Sequence, residues 1–478
     1  MRFAVSRLRR TCLAFVFAVP WAFALQAYAQ DGAPNEPVAD AASAQPAEPA
    51  GKDYVLPAME IIGFDFLLNR ANRCCGTGRD DYAVSRDSIR RNLRSSWGVD
   101  ADPFLTNQLG HPYQGSMYHG FARSAGLSYW EAAGYTFAGS AMWEVFGEQT
   151  PPSRNDQVSS GIGGSFLGEA LYRMSSLLLE KGGGMSPFWR ETAAAVISPA
   201  NGFNRLVMGR RLDSVFASRN PAYYSQVQVG YMGTARSAPG TSTVVKRNEL
   251  QADFSLDYGM PGKDGYQYTR PFDYFSFHTT VSSAGTFESV LTRGLLVGRD
   301  YRAGKDYRGI WGLYGSYDFI SPQTFRVSST ALSLGTTGQW RASENVAVQG
   351  TVMGGLGYAA VGTINGASEN AYRYGVAPQA LASLRVIFGG KSSLDITGRE
   401  YYVSRVAGIG QGGHDNISRA DVSYTWRVRD QHAFTLKYLW NRRHATFATL
   451  GDRTQSRGTI GIFYTLLGYE HFGKVDWK

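Results

Sequence analysis

Cysteine is almost missing from this chain. Three occur in 478 residues: Cys12 near the start, then the neighbours Cys74 and Cys75. Two adjacent thiols cannot frame a fold with disulfides, and no His/Cys spacing has the form of a zinc site, so neither metal nor cofactor is expected. The pair reads as two free thiols in a loop, with a strained vicinal disulfide as the alternative. Also missing is any run of 18 or more apolar residues without charge, which leaves no candidate for a spanning helix. A third absence is any Lys/Arg block interleaved with aromatics. The formal charge of +9 is spread thinly, so nucleic acid is a poor fit as a partner.

What is present starts with an export signal. Arg2, Arg7, Arg9 and Arg10 precede the apolar core "CLAFVFAVPWAFAL", and Ala27-Tyr28-Ala29 is a small-x-small cleavage site, so residues 1–29 read as a cleaved signal peptide. Losing those four arginines lowers the charge from +9 to +5. No cysteine stands at the cleavage point to carry a lipid anchor. Residues 30–58, rich in Ala, Pro and Glu, read as a disordered periplasmic leader. In "MEIIGFDFLLNR" the alternation of Ile62, Phe64, Phe66 and Leu68 admits a strand, and a short buried helix fits as well, so 59–96 is read as an N-terminal segment with possible strands.

From residue 220 to 478 the hydrophobic period is two. "ELQADFSLDYG" sets Leu250, Ala252, Phe254, Leu256 and Tyr258 against Glu249, Gln251, Asp253, Ser255 and Asp257. "QVQVGYMG", "GVAPQALASLRVIFG", "ADVSYTWRVRD" and "HAFTLKYLWNRR" repeat the pattern. One greasy face and one polar face over about ten residues is the transmembrane-strand signature. About twelve such segments (10–14) predict a mainly β fold, a closed antiparallel outer-membrane β-barrel, because lipid cannot satisfy an open sheet edge. Tight turns such as Phe388–Lys391 alternate with longer connections such as "GTINGASENAY", as short periplasmic turns and long external loops would.

Residues 97–200 read as an N-terminal α-helical insert, packed in or against the lumen. One helix runs from near Gln114 to Ala125. A second, capped by Ser128, ends near Glu148, and a third spans Gly161 to Lys181 before Gly182-Gly183-Gly184. Ser140, Glu144 and Glu148 share a face of the second helix. Gly134, Ala138 and Ala141 form one small-residue stripe, and Ser160, Gly164 and Gly168 form another. Glu169 and Arg173, at i and i+4, can pair on the surface of the third helix. Carboxylates on apolar helices need polar neighbours, so the expected polar network is His111, Arg123, Glu144, Glu148, Asp156, Glu169 and Arg173.

The runs "WGVDADPFLTNQLGHPYQGSMYHGFARSAG", "GSAMWEVFGE", "PSRND" and "GGSFLGEALYR" resemble the bacterial family called domain of unknown function 3943, over about residues 59 to 180. Matching positions include Asp100, Asp102, Asn107, His111, Arg123, Trp143, Glu144, Glu148, Asp156 and Glu169. The resemblance implies a Gram-negative envelope protein continued by a barrel-like region, and supplies no reaction. The leading reading is a structural, transport or gating barrel in the cell outer membrane, with outer-membrane lipid, lipopolysaccharide and the barrel-assembly machinery as partners. One alternative is an envelope enzyme acting on lipid or glycan, with His111 or His119 as base and Glu144 or Glu148 as acid. A wall-borne version uses Ser276 and His278, which share the lumen face of one strand. The other alternative binds anionic outer-leaflet lipid through the arginine-rich "RDYRAGKDYRG" and "NRRHATFATLGDRTQSRG".

Overall fold

The computed structural model describes residues 51–477, apart from 77, 101, 183, 210–214, 238–247, 286, 323–324, 363–368, 405–406, 409–412, 448–450 and 469–471. The segments expected to be a signal peptide and most of the expected leader lie outside the described residues. The described chain forms two units: a helical unit up to Ser218, and a barrel unit from Arg219 onward that also includes residues 101–108.

The helical unit is built from α1 (Val55–Cys75), α2 (Arg86–Asn92), α3 (His111–Ser124), α4 (Tyr129–Phe146), α5 (Gly164–Lys181), α6 (Pro187–Ile197) and α7 (Pro199–Met208). Helix α1 replaces the strands admitted for 59–96. Its buried positions, Pro57, Ile61, Asp65 and Asn69, recur every four residues, while Ile62 and Phe66 of the apparent alternation are exposed. The helical period won because polar Asp65 and Asn69 belong to the buried face. Cys74 and Cys75 close α1 as exposed free thiols, at a helix end rather than in a loop.

Helix α4 starts as its sequence dictates: Ser128 and Glu131 exchange the reciprocal hydrogen bonds of a capping box. It stops at Phe146, so Glu148 lies beyond the helix that was expected to carry it. The stripe of Gly134 and Ala138 is exposed, and the buried small face is Ala132, Thr136, Gly139 and Ser140. The second stripe fares as expected. A side chain at Gly164 would meet the Gly115 Cα at 2.7 Å, and one at Gly168 would meet the His119 Cβ at 2.7 Å. A methyl on Gly115 would strike the Ser160 carbonyl. Gly115→Ala should therefore force α3 from its neighbours and cost about 1–3 kcal/mol, read as a lower melting temperature of the helical circular-dichroism signal at 222 nm. An unchanged melt would contradict this close approach.

The barrel unit has twelve long strands: β1 (Tyr223–Ser237), β2 (Asn248–Tyr258), β3 (Phe275–Ser282), β4 (Ser289–Ala303), β5 (Tyr307–Ile320), β6 (Val327–Ser343), β7 (Val346–Gly362), β8 (Tyr372–Phe388), β9 (Ser392–Val403), β10 (Gly413–Arg429), β11 (His432–Phe447) and β12 (Gly451–Leu467). Each pairs antiparallel with the next, and β1 closes on β12 with Gln226 opposite Leu467. Two further rungs join Ala407–Gly408 to β8. Val229, Leu250, Trp311, Leu334, Val352, Trp426, Leu436 and Ile462 form an exposed apolar belt, the surface a bilayer demands.

The two mouths differ. One carries the tight connections at residues 304–306, 344–345, 389–391 and 430–431 together with the start of β1 and the end of β12. The other carries most of the longer connections. Residues 102–108 lie on the outer wall near that second mouth. Asn107 and Gln108 donate to the Tyr372 and Tyr374 hydroxyls at 2.8 and 2.9 Å, and Phe104 stacks edge-on to Tyr372 at 5.4 Å. These tyrosines point outward because inward-facing Arg373 alternates with them along β8. Part of the segment expected in the helical insert thus belongs to the barrel unit.

Candidate functional site

The lumen is barred at both mouths and charged in the middle. Inward-facing Leu291, Ile320, Val327, Val361, Tyr401, Val403 and Ile417 join Phe325 in an apolar layer near the long-connection mouth. At the short-turn mouth Phe472 and Val475, from the chain beyond β12, pack with Tyr224, Met260, Ile387 and Leu467. This tail is tied by hydrogen bonds as well as by burial. Val475 N donates to Gln339 Oε1 at 3.0 Å, Gln349 Nε2 to the Gly473 carbonyl at 2.6 Å, and Trp477 Nε1 to the Lys305 carbonyl at 2.9 Å. Arg341 lies over the Trp477 ring at 4.3 Å.

Between these layers lies a cavity of about 180 Å³, lined by polar and charged residues of many strands. Ion pairs cross it. Arg385 Nη1 reaches Asp257 at 3.2 Å while its Nε holds Asp395 at 2.5 Å. Lys437 holds Asp253 at 2.8 Å, and the Tyr401 hydroxyl donates to Asp318 at 2.7 Å. Such pairs repay desolvation only where further hydrogen bonds complete them. Asp253 meets that condition by also accepting from Thr280 and Gln251.

The polar face read from "ELQADFSLDYG" does point inward: Asp253, Ser255 and Asp257 all line the cavity. Ser276 and His278 line it too, as expected. Among the described residues, however, no hydrogen bond joins them; His278 Nε2 lies 3.0 Å from the Thr280 hydroxyl and 3.8 Å from Asp253. Arg293, Arg399 and Arg419 were not singled out from the sequence. Their signal was a charged residue at an inward position of a period-two strand. The two arginine-rich segments lie at opposite mouths, and the first, around 304–306, is a tight turn rather than a long loop. Arg443 of the second is buried against Asp415 at 2.7 Å.

The expected polar network divides into two clusters inside the helical unit. In the first, fully buried Glu169 accepts from His119 Nε2 at 3.0 Å, Arg123 Nε at 2.7 Å and Arg173 Nε at 2.8 Å. Glu169 and Arg173 do pair, but in the interior and not on the surface. Arg123 and Arg173 also stand over the Phe216 ring at 5.0 and 4.8 Å. Burial pushes the Glu169 carboxyl up, yet Arg123, the His119 hydrogen bond and Arg173 outweigh it and hold the group below the ordinary carboxylate range. Burial pushes His119 down. A neutral ring facing an ionised carboxylate must carry its proton on Nε2.

In the second cluster Glu144 accepts from the Ser153 amide at 2.7 Å, and Glu148 from Trp143 Nε1 at 2.6 Å. Asp156 accepts from Asn155 at 2.9 Å and from the Ser153 hydroxyl. His111 Nε2 stands 3.9 Å from Asp156, the limit of an ion pair. Burial first, then Asp156 and Glu148, push the Glu144 carboxyl well above the ordinary carboxylate range, which favours its protonated form. The four candidates for acid–base work all face buried partners: His111 faces Asp156, His119 faces Glu169, Glu144 takes the Ser153 amide and Glu148 takes Trp143. Among the described residues no group of His, Cys, Asp and Glu is arranged to hold a metal ion.

Residues 96–200 match the family model "Domain of unknown function (DUF3943)". The match starts later and runs further than the resemblance read from the motifs. It spans the two buried clusters and also residues 102–108 on the barrel wall. No curated protein matches the chain. Among solved structures, the NanC porin is 6% identical, with 50% of this chain and 98% of that chain covered at a TM-score of 0.26. The outer membrane channel DcaP of Acinetobacter baumannii is 7% identical, covering 51% and 96% at 0.24. The translocator domain of the autotransporter NalP from Neisseria meningitidis is 15% identical, covering 51% and 88% at 0.24. The barrel itself rests on the strand pairing above.

Proposed function

We propose that this protein is a normally closed outer-membrane conduit for small polar solutes, with the tail around Phe472–Trp477 as its bar. One observation carries the reading: a charged chamber in the lumen is closed at the short-turn mouth by chain that is not part of the wall. A barrel that served only as a rigid post would be filled by its own wall and connections, as the other mouth is by inward strand side chains with Phe325. Short turns face the periplasm in such barrels, so the tail would act from the periplasmic side. Outer-membrane lipid, lipopolysaccharide and the barrel-assembly machinery follow as partners from this placement. The helical insert as plug or cap is the competing proposal for what closes the lumen.

Single-channel conductance in planar bilayers tests both. The mature chain should be silent or open rarely. Gln339→Ala with Gln349→Ala, which cuts the ties to Val475 and Gly473, should produce sustained openings. A chain lacking 97–184 should stay silent if the tail is the bar. Current from that deletion alone would transfer the role to the helices, and silence from all three would leave a filled structural barrel.

A further inference from the structure

Arg399 of β9 and Arg419 of β10 are direct register partners, and both line the same cavity as Arg293 from β4. Like charges placed opposite each other on one face of a sheet repel, and here the sheet face is enclosed. The carboxylates of the chamber do not resolve this evenly. Asp257 and Asp395 are both spent on Arg385, and Asp253 on Lys437. Asp318 takes the Tyr401 hydroxyl at 2.7 Å and reaches Arg399 only at 3.9 Å. Arg419 Nη1 finds the neutral Asn441 carbonyl at 3.3 Å, with Asp421 two residues along its own strand also lining the cavity. Arg293 Nε is buried with no hydrogen-bond partner among the described residues. Among the cavity-lining residues, Arg293, Arg399 and Arg419 face the carboxylates Asp318 and Asp421, with buried Glu288 acting on Arg419 from beyond the lining, while Arg385 sits between two carboxylates.

We propose that Arg293, Arg399 and Arg419 form a binding site for a small anion bearing a carboxylate or phosphate group. Guanidinium forks match the geometry of both groups and grip them bidentately. A bound anion would separate Arg399 from Arg419 and give Arg293 Nε an acceptor. The site deepens the conduit reading by naming the class of solute, and it rests on that reading only for passage, not for binding.

Binding and passage are accordingly measured separately. Each protein is refolded in labelled inorganic phosphate, so that filling the chamber does not depend on release of the tail, and is then brought to equilibrium by dialysis. Folding is checked by heat-modifiable gel mobility. The parent should bind phosphate saturably. Arg293→Gln and Arg419→Gln should each weaken binding at least tenfold, Arg293→Lys less, and Arg429→Gln at the exposed rim not at all. Absence of saturable binding by the folded parent, or binding indifferent to these arginines, would overturn the site. The reversal potential of the tail-released double variant in a KCl gradient then reports passage. Anion preference that falls in Arg293→Gln supports the inference, and a current without anion preference counts against it. No current at all refutes the conduit while the binding result stands.

Discussion

Replacing Glu169 by Gln should unfold the helical unit at a far lower temperature than the parent, a loss of about 3–5 kcal/mol. The side chain volume is unchanged and no cavity opens, so the effect is electrostatic. Glu169 is the shared acceptor of His119, Arg123 and Arg173, all buried. Without its charge two guanidiniums in the interior lose the carboxylate they share, and the amide that replaces an oxygen points a donor at other donors. Circular dichroism at 222 nm on the full mature chain in detergent micelles would follow the helices, while the β signal and gel mobility report the barrel. A melt within a degree or two of the parent would show that Glu169 does not organise this core. Restoration in a triple variant that also replaces Arg123 and Arg173 by Met would show that the penalty is the stranded charge.

That cluster also marks how far sequence could reach. Glu169 and Arg173 were legible as a pair because a helix fixes the geometry of i and i+4. His119 and Arg123 lie on the same face of their own helix for the same reason, but only the close approach of α3 and α5 at Gly115, Gly164 and Gly168 brings them to Glu169. The strands were legible because alternation is a local property, and their number and closure followed from it. What alternation cannot encode is which inward charge meets which. Arg385 and Asp257 are 128 positions apart, and Lys437 and Asp253 are 184 apart. The tail was invisible for a different reason: residues 472–477 have no period, and their burial depends on a lumen that only the closed barrel creates. Helix α1 stayed undecided between strand and helix because its buried face includes Asp65 and Asn69, so that the apolar residues alone do not show the helical period.

The stability of the helical unit should be greatest in mildly acid solution and should fall as pH rises toward 9. Three carboxyls are responsible. Burial raises Asp65 and Glu60 to about 7, and raises Glu144, beside Asp156 and Glu148, to about 10. In the unfolded chain each loses its proton near the ordinary value of about 4. Above that pH the folded unit holds more protons than the unfolded one, and stability declines with pH. Asp65 and Glu60 contribute up to about 7 and Glu144 up to about 10, each with a slope of at most about 1.4 kcal/mol per pH unit. Glu169 works in the opposite sense. Its folded value is depressed, so its contribution is complete above the ordinary carboxylate range and is lost as pH falls below it; buried His119, whose folded value is lowered, likewise opposes the carboxyls as pH falls through the ordinary histidine range. Stability should therefore peak near the ordinary carboxylate values. Melting followed at 222 nm from pH 4 to 9 tests the shape, and Glu144→Gln assigns it: the neutral amide mimics the protonated acid, so the alkaline decline should flatten while the acid limb stays. A parent whose melting temperature is flat between pH 5 and 9, or a Glu144→Gln variant that declines as steeply as the parent, would mean that Glu144 is ionised in the fold.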